Sequence, residues 1–88
     1  MNTEVYGILV FKSTHYTIGA ESVFRDKEIS FKTIPTPREI SLSCGLAIIF
    51  ALDDLEKVKE AMDSNQIKLA GIYRYTRNGI QNKYEKII

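Results

Sequence analysis

Two short, uninterrupted apolar segments, each followed directly by a helical pattern, set the strongest limit on how this chain can fold. The first segment covers residues 5–11 and the second covers residues 46–50. Continuous apolar runs of this length, rich in β-branched and aromatic residues, are typical of buried strands. Two strand-then-helix units within 88 residues predict one small α+β unit built on a single sheet.

Each apolar segment is followed by an amphipathic helix that is expected to begin at a capping residue. Ser13 or Thr14 is expected to cap the first helix. Asp53 is expected to cap the second helix, where Glu56 three residues later would complete a capping box. At helical spacing, the apolar faces of the two helices consist of Tyr16, Ala20, Val23 and Phe24 and of Leu55, Val58 and Met62.

Two further segments complete the predicted sheet. Residues 30–34 alternate polar and apolar side chains before Pro35, which favours an edge strand, and residues 69–75 favour a final strand. The order β-α-β-β-α-β is that of the ferredoxin-like fold, so we expect a four-stranded antiparallel sheet with both helices on one face. The first and third strands are expected to be central. The opposite face is expected to be covered by a partner subunit or by the C-terminal tail.

The ferredoxin-like unit is expected to occupy residues 1–75, with residues 76–88 as a C-terminal extension. Asn78-Gly79 is a dipeptide that favours the type I′ turn of a β-hairpin. Residues 73–77 and 80–84 are therefore expected to pair across this turn.

Charge and cysteine content limit the compartment and the class of partner. The net charge is only +1, and the strand at residues 46–50 has neither the ladder of exposed aromatic side chains nor the arginine of RNA-binding sheets, so no nucleic acid partner is expected. A single cysteine cannot form an internal disulfide, which favours a reducing compartment. Because no signal peptide is recognisable and the apolar runs are too short to span a bilayer, we expect a cytoplasmic protein without a membrane partner.

The single cysteine, Cys44, lies in the loop between the second and third strands, and this loop is the best candidate for chemistry. Pro35 and Pro37 stiffen its beginning, Arg38 adds a fixed positive charge, and Gly45 leaves space around the sulfur. A thiolate beside a guanidinium has a lowered pKa and is a better nucleophile at neutral pH.

The predicted topology brings the N-terminus of the first helix to the same edge of the sheet as this loop. Ser13, Thr14 and His15 are therefore expected to lie near Cys44, together with the free N–H groups of the first helical turn. These groups, with Ser41 of the loop, would stabilise a small anion held on the sulfur.

Other interpretations of the same residues remain open. A free cysteine is often a small buried hydrophobe, and Cys44 precedes an apolar strand. In that case the chain would be a non-catalytic binding module for a ligand or protein, and the open sheet face would be a candidate dimer interface. A thiol redox sensor is a third interpretation, although the chain lacks a resolving cysteine. One histidine and one cysteine cannot form a closed zinc site, and no glycine-rich phosphate loop is present, so no metal or cofactor is expected.

The chain also resembles a known family of small bacterial proteins, the Se/S carrier protein-like family, long treated as a domain of unknown function. The resemblance covers about residues 5–75, and it is carried by Phe11-Lys12-Ser13-Thr14-His15, Ile34-Pro35-Thr36-Pro37-Arg38-Glu39-Ile40-Ser41, Cys44-Gly45-Leu46-Ala47 and Gly71-Ile72-Tyr73-Arg74. It implies that Cys44 accepts sulfur or selenium as a persulfide or selenosulfide and passes it on. It also implies a carrier rather than a turnover enzyme, with transient donor and acceptor proteins.

Overall fold

The computed structural model describes residues 3–40 and 45–87 of the chain. Its strands and helices, in chain order, are β1 (Thr3–Phe11), α1 (Thr14–Asp26), β2 (Phe31–Pro35), β3 (Leu46–Ala51), a short 3-10 turn (Leu52–Asp54), α2 (Leu55–Ser64), β4 (Leu69–Asn78) and β5 (Gln81–Lys86). The predicted α+β class is confirmed. Across this described part of the chain, no helix has the length and apolar character needed to cross a membrane.

All strands pair antiparallel in one sheet of order β2-β3-β1-β4-β5. The prediction of four strands is wrong, because the chain turns after β4 and adds β5 at that edge. Gly79 adopts a φ of +63°, the left-handed conformation that glycine reaches without steric cost, and the two strands pair from Asn78 and Gln81 onward. Consequently β4 is an interior strand, and β2 and β5 are the edges.

The main core lies between one face of the sheet and the two helices. Leu9 and Phe11 of β1 point into it, and α1 and α2 contribute Phe24 and Met62; none of these side chains is more than 1% exposed. The Phe24 ring packs 5.2 Å from the ring of Phe31 on β2. Burying each large apolar side chain stabilises the fold by roughly 1.5–3 kcal/mol, so this layer supplies most of the stabilisation.

The opposite sheet face is buried at one end even though no helix covers it. Ile8, Val10 and Ala47, which we call the open-face cluster, are at most 2% exposed. Ile40 from the β2–β3 loop and Tyr84 from β5 pack against this cluster. The β2–β3 loop and β5 of the same chain therefore provide this cover, and β5 belongs to the C-terminal tail that the sequence named as one of two possible covers.

The two helices begin differently from the predicted capping pattern. Ser13 is the N-cap of α1, but only its carbonyl takes part, accepting the N–H groups of Tyr16 and Thr17 at 3.1 and 3.4 Å. The residue at the N-cap of α2 is Asp54, without a side-chain capping bond. The predicted Asp53 capping box is wrong, because β3 runs straight into the 3-10 turn and takes Asp53 inside it.

Candidate functional site

The β2–β3 loop is closed at its base by one backbone hydrogen bond. Pro35 pairs with Leu46 at the end of the β2–β3 ladder, and the Thr36 N–H then donates to the Gly45 carbonyl at 3.1 Å. The residue that precedes Gly45 is Cys44. The bond therefore fixes the backbone immediately next to the predicted carrier thiol. Cys44 and Ser41 themselves lie outside the described residues, and their roles stay predictions.

Beyond its base, the described part of the loop folds onto the open face of the sheet. The Ile40 N–H donates to the Pro37 carbonyl at 3.0 Å, which closes one tight turn. Arg38 and Glu39 in this turn are exposed, whereas Ile40 is half-buried against the open-face cluster. Ile40 thus anchors the loop that leads to Cys44.

The N-terminus of α1 lies at the same end of the sheet as the loop. Val10, near the end of β1, pairs with Ala47 of β3, which in turn pairs with Ile34 of β2. The chain leaves β1 at Phe11 and leaves β2 at Pro35, so both exits are at this end. However, α1 packs on the helix-covered face and Ile40 packs on the other face. The loop and the helix N-terminus therefore approach the end of the sheet from opposite sides.

The predicted anion-stabilising side chains are accessible. Ser13, Thr14 and His15 are exposed at the start of α1, and the His15 ring lies 5.7 Å from the ring of Tyr16. Arg38 is exposed and makes no ion pair within residues 3–40 and 45–87. No hydrogen bond or ion pair among these residues joins Arg38 to the α1 N-terminus. Their assignment to one site stays a prediction.

Gly45 and Thr36 define the space around the base of the loop. A Cβ atom built on Gly45 would meet no heavy atom of the described residues within 4 Å, apart from its chain neighbours. The Thr36 Oγ1 atom is buried and has no hydrogen-bond partner in the described region. Sequence reasoning missed both Thr36 and Ile40 as supports of the loop. Ile40 packs against a cluster that includes Ile8 and Val10 of β1, which are distant in sequence, and only its apolar character indicated such a contact.

The loop also acts electrostatically on β5. Burial raises the pKa of the Tyr84 phenol, and the nearby Tyr75 and Glu39 raise it further. Glu39 belongs to the loop, and Tyr84 belongs to the strand at the far edge of the sheet. The loop charge is therefore close enough to β5 to affect the ionisation of Tyr84.

The geometry offers no metal centre in the described ranges 3–40 and 45–87, where no group of three or more histidine, cysteine, aspartate or glutamate side chains could hold an ion. The described residues contribute to the candidate site a loop base held by a backbone hydrogen bond and the exposed Arg38 guanidinium.

Comparison with known proteins establishes the family. The profile of the family described as "Putative Se/S carrier protein-like" matches residues 6–74, and the chain belongs to this family. The resemblance drawn from the sequence motifs is confirmed. The match contains the whole β2–β3 loop and the beginning of α1.

Comparison with a relative and with solved structures gives less information about function than the family match does. A protein of Methanocaldococcus jannaschii, described only as uncharacterized, is 37% identical over 62 residues, which are 70% of this chain and 31% of that protein. The aligned part of this chain thus spans about a third of the relative's length. No solved structure matches the chain.

Proposed function

We propose that this protein is a sulfur or selenium carrier that holds the transferred atom on Cys44. The observation that carries the proposal is the family match over residues 6–74, which includes Cys44 and its loop. The name of the family suggests Se/S carriage, and Cys44 is the chain's one thiol. A thiol is the side chain that forms persulfides and selenosulfides reversibly.

The transfer is a thiol exchange at a sulfane atom. The Cys44 thiolate attacks the terminal sulfur of a donor persulfide, R–S–SH, forming the new S–S bond of Cys44–S–SH. The bond between the two donor sulfurs breaks at the same time, and the donor leaves as the thiolate R–S⁻. The same exchange on a donor R–S–SeH gives Cys44–S–SeH. No external oxidant or reductant is required, because the sulfane atom moves at constant oxidation state.

The described structure supports this role in two ways. The Thr36–Gly45 hydrogen bond fixes the backbone beside Cys44, and Gly45 is exposed, so a donor or acceptor protein could reach this part of the loop. The exposed Arg38 guanidinium, which forms no ion pair with the described residues, would stabilise the anionic terminal sulfur or selenium. Ser41 and the α1 residues Ser13, Thr14 and His15 would donate further hydrogen bonds.

Carriage also requires partners. A carrier loads from one protein and unloads to another, so both complexes must be short-lived. The first would be a desulfurase-type enzyme that forms a persulfide or its selenium equivalent. The second would be an enzyme that consumes the atom.

The test is to load the full chain with a cysteine desulfurase and cysteine and to measure the intact mass. We expect a gain of one sulfur atom that dithiothreitol removes. Cys44→Ser should abolish the gain, while the neighbouring Ser43→Ala should retain it and Arg38→Gln should load more slowly. A gain that persists in Cys44→Ser, or no gain in the wild type beside a demonstrably loaded desulfurase, would overturn the proposal.

A further inference from the structure

The sheet face opposite the helices carries three tyrosine rings in one cross-strand row. Tyr6 of β1 is paired with Tyr75 of β4, which is paired with Tyr84 of β5. The ring centroids are 6.0 Å apart with a 28° interplanar angle in the first pair, and 5.0 Å apart with a 9° angle in the second. The rings therefore form a continuous stack across three strands.

Hydrogen bonds at the phenol ends hold this stack in place. The Tyr6 hydroxyl donates to Glu4 Oε2 at 2.9 Å, and the Tyr75 hydroxyl donates to Asn82 Oδ1 at 3.1 Å. The Glu4 carboxylate is also 3.9 Å from the Arg77 guanidinium. Since the rings are already ordered, a ligand that stacks on them loses little affinity to side-chain ordering.

On the β3 side of Tyr6, the same row changes from large to small side chains. Tyr6 is paired there with Ala51, which carries only a methyl group, and both residues line a groove together with Ser30. The groove has a volume of about 480 Å³, with Lys32 and Ile49 also in its lining. This volume is in the range of small-molecule sites, roughly 300–1,000 Å³. A planar ring in the groove would extend the tyrosine stack by one member.

The rim of the groove is cationic. Lys32 is exposed and forms no ion pair with another residue of the described chain. Arg77 also lines the groove, and its side chain is 58% exposed despite the ion pair with Glu4. An aromatic platform with cations at its rim is complementary to a planar heterocycle that bears a negative group.

We propose that this groove binds a nucleotide, with the base stacked on Tyr6 over Ala51 and the phosphate near Lys32. The expectation of no nucleic acid partner rested on the near-neutral net charge and on the strand at residues 46–50, whereas the stacked tyrosines lie on β1, β4 and β5. A free nucleotide and one nucleotide of single-stranded RNA offer the same chemistry. None of the described lining residues belongs to the predicted carrier site, so the proposal can be tested independently of sulfur carriage.

The test is an NMR titration of the ¹⁵N-labelled full chain with uridine monophosphate, uridine, ribose 5-phosphate and a short oligouridylate. Saturable shifts are expected at the amides of Tyr6, Lys32 and Ala51 for the monophosphate, weaker shifts for uridine and none for ribose phosphate. Oligouridylate binding about tenfold tighter than the monophosphate would identify RNA as the source, and equal affinity would identify free nucleotides; both outcomes support the proposal.

Variants separate stacking from nonspecific attraction. Tyr6→Ala should weaken binding by about tenfold or more, while Tyr6→Phe, which keeps the ring, should stay within about twofold. Ala51→Leu should block the groove with the stack intact. Lys32→Gln should weaken the monophosphate but not uridine, and Lys83→Gln, on the other sheet face, serves as the charge-matched control. Absence of saturable shifts at millimolar nucleotide, or unchanged affinity in both Tyr6→Ala and Ala51→Leu, would overturn the proposal.

Discussion

Gly7 of β1 lies beneath the aromatic ring of Phe50, its direct cross-strand neighbour on β3. A Cβ atom on Gly7 would lie 2.8 Å from the Cε1 and Cε2 atoms of that ring, closer than carbon atoms can approach. Phe50 is only 3% exposed and packs 6.2 Å from the ring of Phe24. The ring therefore has no free space to move into, and glycine is required for the contact rather than for an unusual backbone conformation.

Replacing Gly7 by alanine is expected to lower the free energy of unfolding by about 1–3 kcal/mol, the usual cost of overpacking a core. Urea denaturation measures this change, and Gly45→Ala, where the added methyl meets no atom within 4 Å, is the matched control. The double variant Gly7→Ala, Phe50→Leu should cost less than the sum of the two single changes. A Gly7→Ala variant as stable as Gly45→Ala would show that the ring does not confine this position.

Packing of Ile40 against the sheet is expected to stabilise the position of the β2–β3 loop, which contains Cys44. Since it is half-buried against the open-face cluster, Ile40→Ala should cost about 1–2 kcal/mol, less than the ~2–5 kcal/mol of a fully buried isoleucine. In this variant, hydrogen exchange at the backbone amide of residue 40, which donates to the Pro37 carbonyl in the wild type, should be faster. Ile80→Ala is the control, because Ile80 is 100% exposed and should change stability by less than ~0.5 kcal/mol. Equal effects of the two variants would rule out an anchoring role.

Local sequence patterns were sufficient to predict most strands and helices. The apolar run at residues 46–50 corresponds to β3 (Leu46–Ala51), and the first helix begins beside its predicted cap at Ser13. These elements are set by neighbours in the sequence, through hydrophobic periodicity and turn residues. The hairpin predicted from Asn78-Gly79 is observed as the pairing of β4 with β5, but its second strand was not counted in the predicted sheet, so the count of four strands was wrong.

Of the candidate site, only the β2–β3 loop could be predicted from the sequence. The string from Pro35 to Gly45 identified the loop, but not that Ile40 would fold onto the face away from α1. The tyrosine row was equally hidden, because its members are brought together by the pairing of β1, β4 and β5. Register across a sheet decides such contacts, and a single sequence specifies register only weakly.

Thr17 carries an unusual buried hydroxyl on α1. The residue is 0% exposed, and its Oγ1 atom has no hydrogen-bond partner in the described parts of the chain, although a helical threonine commonly bonds the carbonyl one turn earlier. Thr17→Val removes the unpaired oxygen at nearly constant shape, so it should raise the free energy of unfolding by about 1 kcal/mol. Thr17→Ser keeps the hydroxyl and loses the methyl group, so it should be destabilising. Urea denaturation of both variants measures these changes in the free energy of unfolding. A destabilised Thr17→Val variant would indicate that the hydroxyl is hydrogen-bonded in solution.

Tyr84 should make the fold sensitive to alkaline pH. Burial, and then the neighbouring Tyr75 and Glu39, raise its pKa above the ordinary value of 10.0, so the folded state holds the phenol proton more tightly than the unfolded state does. The resulting stabilisation is fully present below about pH 10 and is lost as the pH rises through the folded-state pKa. Tyr84→Phe cannot ionise, so its unfolding free energy should fall less steeply above about pH 10 than that of the wild type. Urea denaturation at a series of alkaline pH values, with tyrosinate absorbance followed in parallel, measures the difference. Because lysine deprotonation is common to both proteins, parallel curves would mean that Tyr84 ionises alike in the folded and unfolded chain.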